Sequence, residues 1–177
     1  MRRIHLAAAG VAIAATAALT PAGIASAAPS ANTDVTFVIA GLDGDLSITA
    51  GPLGTIVPAI TGQSATGTLP TVTVTDSRNG SPRNWTTTAS STPFTSTDQT
   101  IPNGNVDYTA TAIAGKVGGG SVAATGTQSL SAAKNVVTRT GLNMPTELIT
   151  WTPSLTVNYP GGAAIGTYSG TITVSVA

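Results

Sequence analysis

The closing stretch of the chain constrains its fold most. In 167–176, TYSGTITVSV, residues Tyr168, Gly170, Ile172, Val174 and Val176 fall on one face at period two. Thr167, Ser169, Thr171, Thr173 and Ser175 fall on the other. That alternation belongs to a strand with one face in a core and one in water, and β-branched side chains suit such a pleated surface. Upstream, Leu155, Val157 and Tyr159 repeat the pattern until Pro160-Gly161-Gly162 interrupts it. Two alternating runs around a Pro/Gly turn predict a long antiparallel hairpin. A lone hairpin is marginal in water, so the remaining chain must cover its apolar face. On that face Gly170 leaves room for a large neighbour, Trp151 or Trp85.

The same period recurs along the chain. Segment 34–40 aligns Val35, Phe37 and Ile39, and 45–50 aligns Leu46 and Ile48 across the turn 41–44, which predicts a second hairpin. Segment 51–61, rich in Pro and Gly, reads as irregular or as an edge. Leu69, Val72 and Val74 lie in an alternating run over 63–75, with Pro70 marking an edge or bulge. The polar stretch DSRNGSPRN at 76–84 reads as a loop. Strands follow at 84–91, aligning Trp85, Thr87 and Ala89, and at 105–112, aligning Val106, Tyr108 and Ala110. Between them Phe94 and Ile101 reach back to the core. Segment 115–126 reads as flexible, loosest at Gly118-Gly119-Gly120. Alternation returns over 128–140 with Val136 and Val137. No helical period appears beyond the start of the chain. The reading is all-β: a single immunoglobulin-like antiparallel β-sandwich of about eight to ten strands.

The start has the three parts of a secretory signal. Arg2, Arg3 and His5 form a charged region, Leu6 to Leu19 an apolar one, and Ala25-Ser26-Ala27 a small-residue cleavage site. The expected organisation is a signal peptide over 1–27, a lead-in over 28–33 and the β-sandwich domain over 34–177. The apolar run is short for the ~20 residues of a membrane span, so no transmembrane anchor is expected in the mature chain, which is secreted.

Removing the presequence alters the inventory. Of seven basic residues, Arg2 and Arg3 leave, so five remain against seven acids. The five are scattered, which argues against nucleic acid as a partner. His5, the one histidine, also leaves, and the chain has no cysteine. Ser-His-Asp and Cys-His triads and the usual zinc ligand sets are thereby excluded. A glycosidase needs paired carboxylates in an aromatic-lined cleft, and only 4% of the chain is aromatic. Asp43-Gly44-Asp45 reads as turn chemistry rather than a calcium loop. The expectation is a non-enzymatic protein with no catalytic residues, no cofactor and no metal. Trp85 and Trp151 are the largest apolar side chains, either buried between sheets or exposed as a binding platform.

The pieces LSITA at 46–50, LPTVTVTDSR at 69–78, NWTTTASSTPF at 84–94, TWTPSLTVNYP at 150–160 and AIGTYSGTITVSVA at 164–177 carry a resemblance. Together they resemble secreted actinobacterial β-sandwich proteins related to the WxL-domain cell-surface proteins. The resemblance implies a surface module that attaches to the cell wall through peptidoglycan or another glycan, with Trp85 and Trp151 matching the motif tryptophans. Leucine is absent from both W-x-L positions, where Thr86-Thr87 and Thr152-Pro153 stand instead. The alternative is a subunit of a surface assembly or adhesin that binds protein partners through sheet edges. A groove with an exposed Trp favours the first reading, and an unpaired, uncharged edge strand the second.

Overall fold

A computed structural model describes residues 32–40, 45–51, 56–58, 63–79, 83–110, 113–142, 146–161 and 166–177. The protein is all-β. Its first half contains β1 (Asn32–Ala40), β2 (Leu46–Ala50), β3 (Ile56–Pro58), β4 (Ser64–Thr68), β5 (Val72–Asp76), β6 (Trp85–Ser91), β7 (Phe94–Thr95) and β8 (Thr100–Ile101). A short 3-10 turn at Asn103–Asn105 leads into β9 (Val106–Thr109), β10 (Gly115–Val117), β11 (Ser121–Ala124) and β12 (Thr127–Ser129). The chain closes with β13 (Lys134–Thr140), β14 (Glu147–Trp151), β15 (Ser154–Asn158) and β16 (Thr167–Val176). Among the described residues no helix is long and apolar enough to cross a membrane.

β16 sits inside the first sheet, with β6 and β7 end to end along one edge and β1 along the other. β13 and β11 extend that sheet beyond β6, and β8 extends it beyond β7. The expected faces of β16 are the observed ones: Tyr168, Ile172, Val174 and Val176 are buried, while Thr167 and Ser169 are exposed. The neighbour over Gly170 is Phe94, not a tryptophan. A Cβ on Gly170 would lie 2.6–2.8 Å from the Phe94 ring.

The other two sheets run in the orders β10-β14-β5-β2 and β12-β9-β15-β4-β3. They continue each other across a kink. Pro70 divides β4 from β5 and Pro153 divides β14 from β15, and proline lacks the N–H a ladder needs. Hydrogen bonding resumes at the break, where Leu69 N–H donates to the Pro153 carbonyl at 2.9 Å and the Thr71 and Thr152 hydroxyls meet at 2.8 Å. Pro93 separates β6 from β7 in the same way. Prolines thus cut long runs into more segments than the eight to ten strands expected.

One core serves all three sheets. It joins Leu46, Ile48, Val72 and Val74 to Tyr108, Ile149, Trp151, Leu155, Ile172 and Val174. Phe94 and Ile101 are fully or almost fully buried in it, as their spacing implied. Val136 and Val137 are adjacent yet both buried, because a register shift lies between Asn135 and Val137. The bulge frees the Val137 carbonyl for the buried Thr87 hydroxyl at 3.2 Å.

Four sequence expectations need correction. β15 and β16 do not form a hairpin: β15 pairs with β4 and β9, β16 with β1, β6 and β7. β1 and β2 do not form one either, since β2 pairs with β5 and β1 runs parallel to β16 over nine residue pairs. A Pro/Gly or Asp/Gly break ends a run without saying which strand the next run pairs with. The sheets are also not purely antiparallel, and β1 begins at Asn32, inside the stretch read as a lead-in.

Ile172→Ala removes buried methylenes from the centre of β16 and is expected to cost about 2–5 kcal/mol. Thr171→Ala, on the opposite face, is expected to cost about 0.5 kcal/mol or less. Gly170→Val forces methyls into the Phe94 ring and is expected to cost about 1–3 kcal/mol despite the better strand propensity of valine. Urea unfolding of the three variants checks the register; equal losses at 171 and 172 would refute it.

Candidate functional site

Both motif tryptophans are in the core. Trp151 ends β14, is fully buried, and donates its indole N–H to the Tyr108 hydroxyl at 3.2 Å. Burial pushes the Tyr108 hydroxyl up to about 12, against the opposing pull of that hydrogen bond. Trp85 opens β6 at 3% exposure and faces Arg139 across the ladder to β13. Its Nε1 has no hydrogen-bond partner among the described residues. A stacking platform requires an open ring face, and neither indole has one.

The concentrated electrostatics of the molecule lie where the inward positions of four strands run out. Inward Val72 and Val74 of β5 are followed at the same parity by Asp76. Inward Trp151 and Ile149 of β14 are preceded by Glu147, Val137 of β13 is followed by Arg139, and Trp85 of β6 is preceded by Arg83. All four charged residues are buried. Asp76 and Glu147 are direct partners in the β5–β14 ladder, where two bare carboxylates would repel. Each is neutralised by its own arginine.

Arg139 is fully buried and uses every N–H of its guanidinium. Nε donates to Glu147 Oε2 at 2.7 Å and Nη2 to Oε1 at 2.5 Å. The remaining N–H groups go to the carbonyls of Leu142 at 2.5 Å, Gly141 at 2.7 Å, and Arg83. The backbone N–H groups of Gly119 and Gly120 point at Glu147 Oε1 from 3.3 and 3.4 Å. The glycine run is therefore a cradle, not the loosest point of the chain. Gly118 has φ +130°, and a Cβ there would come within 2.5–2.9 Å of the Glu147 side chain. A Cβ on Gly120 would overlap the Arg139 guanidinium.

Burial pushes the Glu147 carboxyl up, but the hydrogen bond and charge of Arg139 and the two glycine N–H groups outweigh it and hold it below the usual range. Asp76 follows the same balance. Burial raises it, and Arg78 lowers it further through its backbone N–H at 3.1 Å, Nε at 3.0 Å and Nη2 at 2.9 Å. A general acid needs a carboxyl whose pKa lies near the working pH, whereas these two are fixed as anions. The cluster latches three strands and a loop together. Among the described residues no group of three or more His, Cys, Asp or Glu could hold a metal; Asp43 lies outside them.

Rows of uncharged hydroxyls run along the outer faces. On the first sheet Thr36 faces Thr171, Thr173 faces Ser90, and Thr88 meets Ser175 at 2.8 Å. On the other layer Thr73 faces Thr49 and Thr150, and Thr109 meets Thr127 at 2.8 Å. A shallow, mainly apolar groove of about 480 Å³ crosses the first sheet, lined by Thr36, Thr92, Pro93, Thr95, Thr100, Ser169, Gly170 and Thr171.

The sheet edges differ from one another. β3, β10, β11 and β12 have three or four residues each, β3 ends in Pro58 and β10 carries Lys116. β8 has two residues and β2 five. β1 has nine residues in an unbroken ladder, contains no proline and no basic residue, and holds Val38 at 39% exposure. One edge of β1 pairs with β16, and the other pairs with no strand among the described residues. Its length follows from the full ladder that β16 offers, a partner no sequence period names.

Glu147→Gln leaves Arg139 buried without its anion and is expected to cost about 3–5 kcal/mol at neutral pH. The folded carboxyl titrates below its ordinary 4.5, so its contribution is full above that value and is lost as pH falls through the folded pKa. Urea unfolding should show a wide gap between the two chains at neutral pH that closes in strong acid. A gap unchanged by acid would mean that the ionised pair contributes nothing. Comparison with protein-family models, with curated proteins and with solved structures finds no match for this chain, so any reading of its function rests on its own residues.

Proposed function

We propose that the chain is an exported, non-enzymatic module of the cell surface that works as a subunit of a surface assembly, pairing with a protein partner along β1. The observation that carries this reading is β1 itself, nine residues long, without proline or lysine, and hydrogen-bonded to a strand on one side alone among the described residues. Backbone groups left unpaired along an edge template the addition of another strand. The architecture proposed is an immunoglobulin-like β-sandwich. Its support is a core shared between the β16 sheet and the kinked pair of sheets, which hydrogen bonds join across Pro70 and Pro153. Export rests on the charged, apolar and small-residue segments of 1–27. The absence of catalysis rests on a mature inventory without His or Cys and on buried carboxylates pinned by arginine.

A second reading keeps the kinship to WxL-domain proteins and makes the ligand a cell-wall glycan. It is favoured by the uncharged hydroxyl faces and the groove beside Thr36. The buried tryptophans give it no stacking surface, so contact would run through hydroxyls alone.

Cell fractionation with mass spectrometry is expected to find the chain at the surface, cleaved near Ala27. Val38→Lys places a charge on the free strand without touching the core, and is expected to release the protein into the medium. Retention equal to wild type, together with equal binding to purified peptidoglycan, would replace the edge reading with the glycan one.

A further inference from the structure

Three of the four exposed large apolar side chains among the described residues gather at one end of the molecule, around the Arg139–Glu147 pair. Val117 precedes Gly118, Leu142 follows Gly141 and Leu148 follows Glu147, so each adjoins a residue of that cluster. Val117 and Leu148 are direct partners in the β10–β14 ladder, and Leu142 is 75% exposed. The backbone beneath them is held. Arg139 donates to the Leu142 carbonyl at 2.5 Å, and the Gly141 N–H donates to Asn84 Oδ1 at 3.2 Å. Aliphatic side chains raised on a fixed backbone lose little freedom on docking, and a cluster of them marks a contact site. Lys116, beside Val117, is exposed and has no ion pair among the described residues, while the Glu147 carboxylate is spent on buried Arg139. This end is apolar with a cationic rim.

The groove on the first sheet is its counterpart. It is shallow and mainly apolar, with Pro93 and Gly170 in its lining. Asp34 lies on the same exposed face of β1 as Thr36 and is in register with Ser169, and both Thr36 and Ser169 line the groove. Asp98 stands in the turn between Thr95 and Thr100, which line it too. Both aspartates are exposed, and neither has an ion pair among the described residues. We infer that the apolar end of one copy of this chain docks in the groove of the next, with Lys116 turned toward Asp34 and Asp98. The two surfaces are different patches of one chain, so the contact is heterologous and runs head to tail. This goes beyond the reading above: it names a contact between copies and leaves the hydrogen-bonding side of β1 to the partner that holds the chain at the surface. A lipid surface fits the apolar end less well, because one lysine contributes only about 1 kcal/mol at an anionic membrane and both tryptophans are buried.

The contact stands at the small end of protein interfaces, so sedimentation velocity of the purified exported chain should show a concentration-dependent equilibrium. Leu142→Asp, Lys116→Asp and Asp34→Lys should each weaken it by about tenfold or more. Mixing the Lys116→Asp and Asp34→Lys chains sets opposite charges at every contact and should restore it. All three positions are exposed, so the unfolding midpoint of each variant should match wild type. The chain has no native cysteine, so a short bismaleimide should join Leu142→Cys chains to Ser169→Cys chains. It should not join them to Thr66→Cys chains, whose exposed site lies on β4 in another sheet. A monomer at every concentration, no restoration on mixing, or equal cross-linking to Thr66→Cys would overturn the inference. So would a monomer that binds phosphatidylglycerol vesicles and loses them with Leu142→Asp, which would assign the apolar end to a membrane. These readouts come from purified protein, so Val38→Lys in cells tests the β1 reading separately.

Discussion

A guanidinium with no water around it must have all five of its N–H groups answered, and Arg139 organises one end of this protein by that requirement. Its partners come from three places: Glu147 at the start of β14, the Arg83 carbonyl before β6, and the Gly141 and Leu142 carbonyls after β13. Glu147 in turn needs more than one arginine, and takes backbone N–H groups from Gly119 and Gly120. Those groups come close enough only because residues 118 and 120 have no Cβ. Such a pair is not a large source of net stability, because taking both charges out of water costs nearly what their attraction returns. Its effect is on uniqueness. Any shift of β13 against β14 would strand a buried charge, so the two layers have one acceptable alignment at this end.

The prolines act in the opposite sense, by releasing strands from strict regularity. Pro70 and Pro153 stand side by side in neighbouring runs, and each would break a ladder alone. Placed together, with Leu69 N–H on the Pro153 carbonyl and Thr71 against Thr152, they break it at one shared line. Trp151, two residues before Pro153, is buried beside that line. The hydrogen bond from its indole to Tyr108 ties the neighbouring strand to the same corner.

How much of this was legible follows from which signals are local. The face assignment of β16, the inward Trp85, Thr87 and Ala89, and the return of Phe94 and Ile101 to the core depend on period two and were readable. Strand partners were not, because the Pro/Gly and Asp/Gly signals in the sequence end a run without saying which sheet the next run enters. The buried charges left a trace that hydropathy hides. Asp76, Arg139 and Glu147 keep the inward parity of Val74, Val137 and Ile149, although the polar run from Asp76 onward reads as a loop. Three glycines in a row imply freedom when read alone, and close approach when a buried carboxylate is known to lie against them. The place of β1 was not readable, since nothing in 32–40 reveals that its partner is the last strand.

The chain has few charges, 8% of its residues, and it places four of them in the interior. Little charge is then left to guard its surface, and hydroxyls cover the faces instead. On a sheet face that substitution works, because water satisfies a hydroxyl as well as it does an ion and the backbone is already paired. At an edge it does not, since a threonine repels nothing and the exposed N–H and C=O groups remain open to another strand. Most edges here are kept safe by being short or by proline. β1 cannot be short, because it matches β16 for nine residues and packs Val35 and Phe37 against the margin of the core. The strand that completes the central sheet is therefore guarded neither by short length nor by proline.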